Sequence, residues 1–491
     1  MENKNNIIET VDTSEYSLEK FLRRQALLNS GLNLVKIRDK STITDQFSRK
    51  YIMEWLKNPI SNEKRLRDAS RTAYRVSQQY RELMQYKASL PLWMHELVPV
   101  SGDYGTSAKA KKLMRKEFYE YSEYIERMNL PHEMAKALLI ALVDGVFYGA
   151  IWDTGDAFFI QPISPDICRL SSILDGTFVF QVNMSTIQEK DLDMYPPQFT
   201  QMWHRYHDDK EDRWQDVPPE ICFVLKADES VWNYSLPPFV SSLPLVADLE
   251  NYTELNAAEA ELAMYKMIAM TVPLDASKKP TLSFAEVEKY YNQVANNIPE
   301  DIGLIATPFD YETITFNEST APSVVDKITT ATNRFWQGSC VNSLLFGDAT
   351  NKSATALKLS VLKDEQIIFM NMKQAARVVN RLLKYKFGDR KIRYMINFLP
   401  VTWMNQEDKV KMYREAATYG MPVKMAYAAA LGVAPENFEA RNILELGVFD
   451  LANELVPVKS SATTSSDAGR PSSEDTGSMP SEKTEQNRES E

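Results

Sequence analysis

The chain has 491 residues, enough for roughly two to four domains, with an apolar content of 44% and a charged content of 25%. Three scattered cysteines provide no disulfide framework, and no apolar run is long enough for a membrane helix. The net charge of −11 argues against tight, sequence-independent wrapping of DNA. The N-terminus has no apolar core of a signal peptide, so we expect none.

Residues 1 to about 130 are predicted to be mostly helical and polar, because charged and apolar positions alternate at helical spacing. One predicted helix carries five basic residues within eight positions: Lys109, Lys111, Lys112, Arg115 and Lys116. This run indicates either a solvated helix face, which we favour, or a surface for an acidic partner. The following segment, MAKALLIALVDGVFYGAIW, is predicted to be a core helix that leads into a strand.

Residues 145 to 235 show short β-branched and aromatic runs interrupted by turn residues, which predicts strands, with a hairpin turn at Asp175-Gly176. His204, His207, Asp208 and Asp209 are residue types that bind zinc. Because this segment resembles a strand ending in a charged hairpin tip, we favour a solvated loop over a metal site. The chain contains no short catalytic or nucleotide-binding signature, although a carboxylate-only site stays open.

Residues 242 to about 267 are predicted to form one long helix, because Leu245, Leu249, Tyr252 and Leu255 recur every three or four positions. Its polar face is acidic: Asp248, Glu250, Glu254, Glu259 and Glu261. A compact α/β insert follows to about 318, with a capping box at Ser283 and Glu286 and two short strands in GLIATPFDYETITF. A returning helix is capped by Ser319 or Thr320 and ends at Gly338.

The stretch LLFGDATNKSATALKLSVLKDEQI (344 to 367) places a small polar loop before another long helix. Gly347, Lys352 and Ser353 superficially match a phosphate-binding loop, but the second glycine is missing and the spacing is one residue short. We therefore expect a connector loop, with Leu345 and Phe346 anchoring its base. The helix after it is predicted over 353 to 386, and helices punctuated by glycines continue to 457. Residues 458–491 are too polar to fold.

This order of elements resembles the portal proteins of tailed bacteriophages, the head-to-tail connectors, over nearly the whole chain. The segments that carry the resemblance are SLPPFVSSLPLVADLENYTELNAAEAELA, the run from ATNRFWQGSCVNSLLFGDATNKS into the long helix, and FLPVTWMNQEDKVKMYREAATYGMPVKMAYAAALGV with its polar tail. The last pattern is typical of portals of phages of Gram-positive hosts.

The resemblance implies an α+β portal fold with a mixed helical and β wing, a two-helix stem, a small α/β clip, a long wing helix and a helical crown. The implied boundaries are wing 1–241, stem 242–270 and 320–338, clip 271–319, tunnel loop 339–353, long helix and wing return 354–400, crown 401–457 and disordered tail 458–491. The implied channel residues are those of the tunnel loop: Asn342, Gly347, Asp348, Ala349, Thr350, Asn351, Lys352 and Ser353. The acidic stem residues face either the channel or neighbouring subunits.

A portal forms a ring, with a dodecamer as the expected form, at one capsid vertex of the virion, and is assembled in the host cytoplasm. The implied partners are other copies of the chain, double-stranded DNA passing through the channel, the terminase large subunit, the major capsid and scaffolding proteins, and a head–tail adaptor. No membrane, cofactor, metal or catalysis is expected. The alternatives are a hydrolase or nucleotide-using enzyme with a site near His204 and His207 or near Lys352, and a virion adaptor that forms no ring.

Overall fold

The structure, a computed structural model, describes residues 47–101, 107–231, 234–264, 266–271, 302–307, 324–346 and 354–451, with 289 and 293. It is a mixed α+β fold, as expected. The chain divides into two compact units, Met1–Glu436 and Asn437–Glu491. The predicted N-terminal helices before residue 47, the capping box at Ser283 and Glu286, residues 347–353 and the tail 458–491 lie outside the described residues.

The helices of the described residues are numbered in chain order. They are α1 Arg49–Lys57, α2 Glu63–Val76, α3 Gln78–Ser89, α4 Ala108–Met128, α5 Leu130–Asp144, α6 Pro197–Asp208, α7 Leu243–Met264, α8 Val324–Gly338, α9 Ala354–Phe387, α10 Gln406–Thr418, α11 Lys424–Ala430 and α12 Pro435–Asn442. A π-helix, Ile443–Val448, continues α12, and a 3₁₀ turn spans Ser343–Phe346.

Ten strands form four small sheets in the described part of the chain. They are β1 His95–Ser101, β2 Val146–Asp153, β3 Phe158–Ile163, β4 Cys168–Leu174, β5 Thr177–Asn183, β6 Trp214–Asp216, β7 Cys222–Lys226, β8 Lys266–Thr271, β9 Ile302–Thr307 and β10 Arg393–Phe398. The antiparallel sheets are ordered β3-β2-β7, β4-β5-β6 and β1-β10, and β8 pairs with β9 in parallel. Helices α2, α3, α5 and α9 pack with the sheets around one apolar core.

The predicted core helix followed by a strand is confirmed by α5 and β2. Most of α5 is apolar, and Leu138, Ala141 and Leu142 are buried. The helix ends at Gly145, whose φ of +86° belongs to the left-handed region. A Cβ at this position would lie 2.5 Å from the Leu236 carbonyl carbon, so glycine is required both for the turn and for the close approach.

The predicted hairpin at Asp175-Gly176 is also confirmed. Leu174 of β4 is paired with Thr177 of β5, which leaves a two-residue turn between the strands. Both turn residues have positive φ, 53° for Asp175 and 70° for Gly176. This is the combination that a type I′ turn requires, and Asp-Gly adopts it readily.

The predicted helix from 242 to 267 is shorter than expected. Helix α7 ends at Met264, and Lys266–Thr271 is strand β8. The strand forms because Ile302–Thr307, distant in sequence, supplies the backbone partners from Lys266↔Ile302 to Thr271↔Thr307. Tertiary pairing therefore overrides the local periodicity, and the predicted helix end near residue 267 is wrong. Strand β9 confirms the first of the two strands predicted in GLIATPFDYETITF, and the second lies outside the described residues.

Gly338 has a different role from the predicted helix cap. It is the last residue of α8, and the left-handed position falls on Cys340, with φ 56°. A Cβ on residue 338 would lie 2.6 Å from Leu245 Cδ1 of α7. Glycine is therefore used here to let two helices approach closely.

Candidate functional site

Helices α7 and α8 leave the core side by side. Leu243, Val246 and Leu249 are buried at the start of α7, and Phe335 and Trp336 are buried near the end of α8. At the junction, the buried Ser339 hydroxyl donates to Ser242 Oγ over 3.1 Å. The start of α7 and the end of α8 therefore meet at one place in the core.

The 3₁₀ turn Ser343–Phe346 is fixed by an aromatic cluster directly after this junction. The Phe346 ring stacks on Trp336 of α8 with centroids 3.9 Å apart and planes 2° from parallel. Tyr86 of α3 meets Phe346 edge-on at 5.8 Å. Leu345 and Phe346 pack partly buried against the core. The expectation that they anchor the base of the 347–353 segment is therefore confirmed.

A buried ion pair joins α3 to the first half of α9. Lys87 Nζ lies 2.5 Å from Asp364 Oδ1, and both side chains are buried. The Tyr86 hydroxyl donates to Asp364 Oδ2 over 3.1 Å, so one carboxylate is bonded by two neighbouring α3 residues. Burial lowers the pKa of Lys87 and the bond to Asp364 opposes that shift, whereas burial and Asp364 both raise the pKa of Tyr86.

The second half of α9 is bonded to uncharged groups of the sheets. Gln374 accepts from the Lys226 amide over 2.6 Å and donates to the Lys226 carbonyl over 3.2 Å, which satisfies backbone groups at the buried edge strand β7. The fully buried Arg381 donates to Thr177 Oγ1 on β5 and to the Cys222 carbonyl on β7. The first half of the long helix is thus held by an ion pair, and the second half by the hydrogen bonds of Gln374 and Arg381.

Sequence analysis missed these buried polar residues of α9, although the spacing of polar and apolar residues along the helix contained a signal for them. The apolar spacing of α9 predicts a buried stripe of Leu357, Val361, Ile368, Met372, Ala375, Val379 and Leu382, and all of these are buried except Leu357, which is partly buried. Asp364 and Asn371 stand close to the same helical phase and are buried, and Gln374 is buried as well. A polar residue in phase with an apolar stripe needs an internal partner, because burying it unpaired is costly.

Of the predicted acidic stem residues, Asp248 faces its own subunit. It forms an ion pair with Arg49 of α1, so neither the channel nor a neighbouring copy is needed to explain it. Glu250 is partly buried. The remaining three, Glu254, Glu259 and Glu261, lie on α7 by their backbone positions.

Of the predicted channel residues, Asn342 is described and partly buried, immediately before the 3₁₀ turn, and its carbonyl accepts from the Leu345 amide over 3.1 Å. Gly347, Asp348, Ala349, Thr350, Asn351, Lys352 and Ser353 lie outside the described residues. The structure therefore fixes both flanks of the segment, Phe346 and the start of α9 at Ala354.

The prediction of a strand and hairpin tip at His204 to Asp209 is wrong. The two histidines lie on α6, which begins after Pro196, and both rings contact Trp203 edge-on, with centroid distances of 5.5 Å for His204 and 5.0 Å for His207. Residues three apart share a helix face, so the histidines are neighbours. Within the described ranges, no group of three or more His, Cys, Asp or Glu residues is placed to hold a metal ion.

A polar cavity of about 330 Å³ lies beside α2 and β4 and is lined in part by Arg67, Tyr148 and Cys168. Its buried guanidinium is already neutralised, since Arg67 donates to Glu63 over 2.6 Å and to Asp166 over 3.1 Å. Burial raises the pKa of the Cys168 thiol, which keeps it protonated and poorly nucleophilic. Arg67 therefore needs no anionic ligand in the cavity, and Cys168 is not a reactive thiol.

No protein family and no curated protein matches the chain. Among solved structures, the virion of a native gene transfer agent particle is similar with a TM-score of 0.39 and 12% identity, covering 76% of this chain and 94% of that one. The neck of the empty particle gives 0.39 and 12%, covering 75% and 93%. The neck of the native particle, computed with C12 symmetry, gives 0.36 and 12%, covering 84% and 99%. Similarity at this level carries no argument for the proposals below.

Across the described ranges, no helix is both long and apolar enough to cross a bilayer.

Proposed function

We propose that this chain is a portal protein: a structural, non-catalytic subunit of a ring at one capsid vertex of a tailed phage-like virion. The ring would conduct double-stranded DNA during packaging and ejection and would join head to tail. Its partners would be other copies of the chain, the terminase large subunit, the capsid and scaffolding proteins, and a head–tail adaptor.

The observation that carries the proposal is the way α7, α8 and α9 are joined. Helices α7 and α8 leave and re-enter the core at the Ser242–Ser339 contact, with the insert carrying β8 and β9 between them. The chain then passes through the Phe346 anchor into residues 347–353 and on to α9. A small polar segment held at both ends beside a two-helix stalk is the arrangement that a channel constriction needs, because the loop must contact moving DNA without displacing the core.

Exposed apolar side chains on α9 support assembly with other copies. Leu359 and Met370 are 63% and 67% exposed, and Leu362 and Ile367 are exposed on the same half of the helix. Trp403, 49% exposed, lies beside Thr402, whose hydroxyl donates to Glu365 of α9. Exposed apolar groups clustered in this way, rich in Met, Leu and Trp, are typical of protein interfaces.

The first test is the mass and shape of the purified full chain, by native mass spectrometry and negative-stain imaging. A ring of about a dozen subunits with a central hole is the expected result. A monomer that also fails to enter particles when co-expressed with its capsid and scaffolding proteins would contradict the proposal.

The apolar surface of α9 gives a sharper test. The double variant Leu359→Glu, Met370→Glu is expected to abolish rings while leaving the fold of the monomer intact, because both side chains are exposed. The control is Ile60→Glu, since Ile60 is 58% exposed in the turn between α1 and α2. Rings that form equally in all three proteins would exclude this face as a subunit contact.

The enzyme alternative has a separate test. If catalysis resided near His204 and His207 or near Lys352, His204→Ala or Lys352→Ala would remove an activity while the assembly stayed intact. We propose instead that neither substitution removes a chemical step.

A further inference from the structure

We propose that the solvent-facing side of α4 binds the phosphate backbone of double-stranded nucleic acid. This surface, called the α4 basic face here, consists of Lys109, Lys111, Lys112, Arg115 and Lys116. It goes beyond the proposed channel, because it is a separate DNA contact on another helix. It rests on the proposed function only in that a portal is exposed to double-stranded DNA.

Three of the four lysines of the α4 basic face have no acidic partner among the described residues. All five side chains are exposed, and the nine residues from Ala108 to Lys116 contain no acid. Lys109, Lys111 and Lys112 form no ion pair with any residue in the described part of the chain. Lys116 lies 3.8 Å from Glu120 and remains 70% exposed.

The first two carboxylates that follow the run are already engaged elsewhere. Glu117 is buried and accepts from the Ile392 amide over 2.9 Å, on the opposite side of the helix. Glu120 is bonded by Arg390 at 2.7 Å. Glu117 is therefore unavailable to the lysines, and Glu120 is shared between Arg390 and Lys116, so neither carboxylate pairs with Lys109, Lys111 or Lys112.

The five cations also lie at the end of the helix where positive charge destabilises a helix. The N-terminus of a helix carries a partial positive charge, which disfavours cations in the first turns. The end is capped by the neutral Ser107, whose Oγ accepts from the Ala110 amide, and the first turn has no acid. By contrast, α10 begins with Glu407 and Asp408, and Lys411 bonds to Glu407 over 2.6 Å. The first turn of α10 therefore has the acids that favour a solvated helix, whereas the first turns of α4 carry only cations. A bound anion would supply the missing negative charge on α4.

The chemistry of the face favours phosphate over a protein carboxylate surface. The three cations without an ion pair are lysines, which bind phosphates as point charges, whereas carboxylate recognition favours the fork of arginine. Protein interfaces are depleted in lysine and centred on apolar anchors. On α4 the apolar Tyr121, Ile125 and Met128 are turned into the core.

The dimensions also fit. Lys109, Lys112 and Lys116 follow one another along one side of α4 over about 10 Å at 1.5 Å per residue. About 10 Å of duplex axis carries roughly six phosphates when both strands are counted. This row of three lysines, with Lys111 and Arg115 on the adjoining side of the helix, therefore fits one short stretch of duplex without any need to read bases, and we expect binding independent of sequence.

The test compares the full chain with Lys109→Gln, Lys111→Gln, Lys112→Gln in one triple variant, using fluorescence anisotropy with a mixed-sequence 30-base-pair duplex. The matched control is Lys358→Gln, Lys384→Gln, Lys411→Gln, since these exposed lysines are each paired with a carboxylate. At 0.1 M salt we expect the triple variant to bind at least about tenfold more weakly, and the control to stay within about twofold. The slope of log K against log salt should fall by up to about 2.7, or about 0.9 for each lost phosphate contact.

Equal binding by the triple variant and the control would overturn the proposal. A polyglutamate competitor of equal charge provides a second measurement: if it displaced the duplex as effectively as unlabelled DNA, the face would be a site for acidic protein and the assignment to nucleic acid would be wrong. Native mass spectrometry of the same samples separates this inference from the proposed function. Rings without α4-dependent DNA binding would overturn only the inference, and α4-dependent binding by a protein that never forms rings would count only against the portal.

Discussion

The two halves of α9 differ in what their solvent-facing sides carry. In the first half, four large apolar side chains are exposed: Leu359, Leu362, Ile367 and Met370. In the second half, the exposed side is cationic, and its charges reach the subunit's own loops and turns: Arg377 pairs with Glu229, Lys384 with Asp175 at 2.9 Å, and Lys386 with Asp153 at 3.1 Å.

The buried sides differ as well. The first half is held by the ionic contact of Lys87 with Asp364, whereas the second half is held by Gln374 and Arg381, which bond to backbone groups of β7 and to the Thr177 hydroxyl of β5. We infer that the second half is completed within one subunit, while the first half keeps an apolar surface for a neighbour. A single helix thus combines an internal support with a surface for assembly.

The largest expected effect concerns the internal contact of the first half. Asp364→Ala is expected to lower the free energy of unfolding by about 3–5 kcal/mol, because it leaves the buried Lys87 ammonium unpaired. Replacing both partners, as Lys87→Met with Asp364→Leu, should cost clearly less, because no buried charge remains. Urea unfolding followed by circular dichroism measures both. If the double variant were as unstable as the single one, packing rather than charge would explain the loss.

The second expected effect concerns Lys226, where the second half meets β7. Burial lowers the pKa of Lys226 from its usual 10.5 to about 8. Between these values the unfolded chain binds a proton that the folded chain does not, so stability rises with pH there. From pH 7 to 9.5 the wild type should gain up to about 2 kcal/mol relative to Lys226→Met.

The measurement is the urea midpoint of both proteins at several pH values. Lys386→Met serves as the control, because Lys386 is a lysine of the same region with a side chain that is 46% exposed. A constant difference between wild type and Lys226→Met across this range would mean that the ammonium stays charged in the fold.

The smallest expected effects concern the exposed pairs of the second half. Arg377→Gln and Lys384→Gln should each lower the free energy of unfolding by no more than about 1 kcal/mol, because exposed ion pairs contribute little. Leu359→Gln in the first half should change monomer stability by less than about 0.5 kcal/mol and act on assembly alone. A loss of monomer stability with Leu359→Gln would contradict the division of the helix into two roles.

Much of the fold could be predicted from local signals. The span of α9, the Asp-Gly hairpin and the helix that leads into β2 depend on periodicity and turn residues within a short stretch of chain. The end of α7 could not be predicted, because β8 exists only through its pairing with β9, about 30 residues further along. The helix at His204 was missed because its aromatic and charged residues resemble those of an edge strand.

The candidate site was less accessible to sequence analysis. The position of the 347–353 segment between two helices follows from composition, but the contacts that fix its flanks do not. Phe346 meets Tyr86 across 260 positions, and Asp364 meets Lys87 across a similar separation. Such pairings depend on tertiary packing, and the only local trace was a charged residue in phase with an apolar stripe.

Cys340, which follows α8 and has a left-handed backbone conformation, has a practical use. Cys340 is exposed, whereas Cys168 is partly covered and Cys222 is buried. Burial raises the pKa of both shielded thiols, to about 11 for Cys222, so neither presents a thiolate at neutral pH. The wild-type chain thus offers one selective attachment point for a spin label or fluorophore, three residues before the turn that ends at Phe346. In a symmetric assembly each copy would carry one probe at the same radius, and distances between probes would report the diameter and the number of subunits without any substitution.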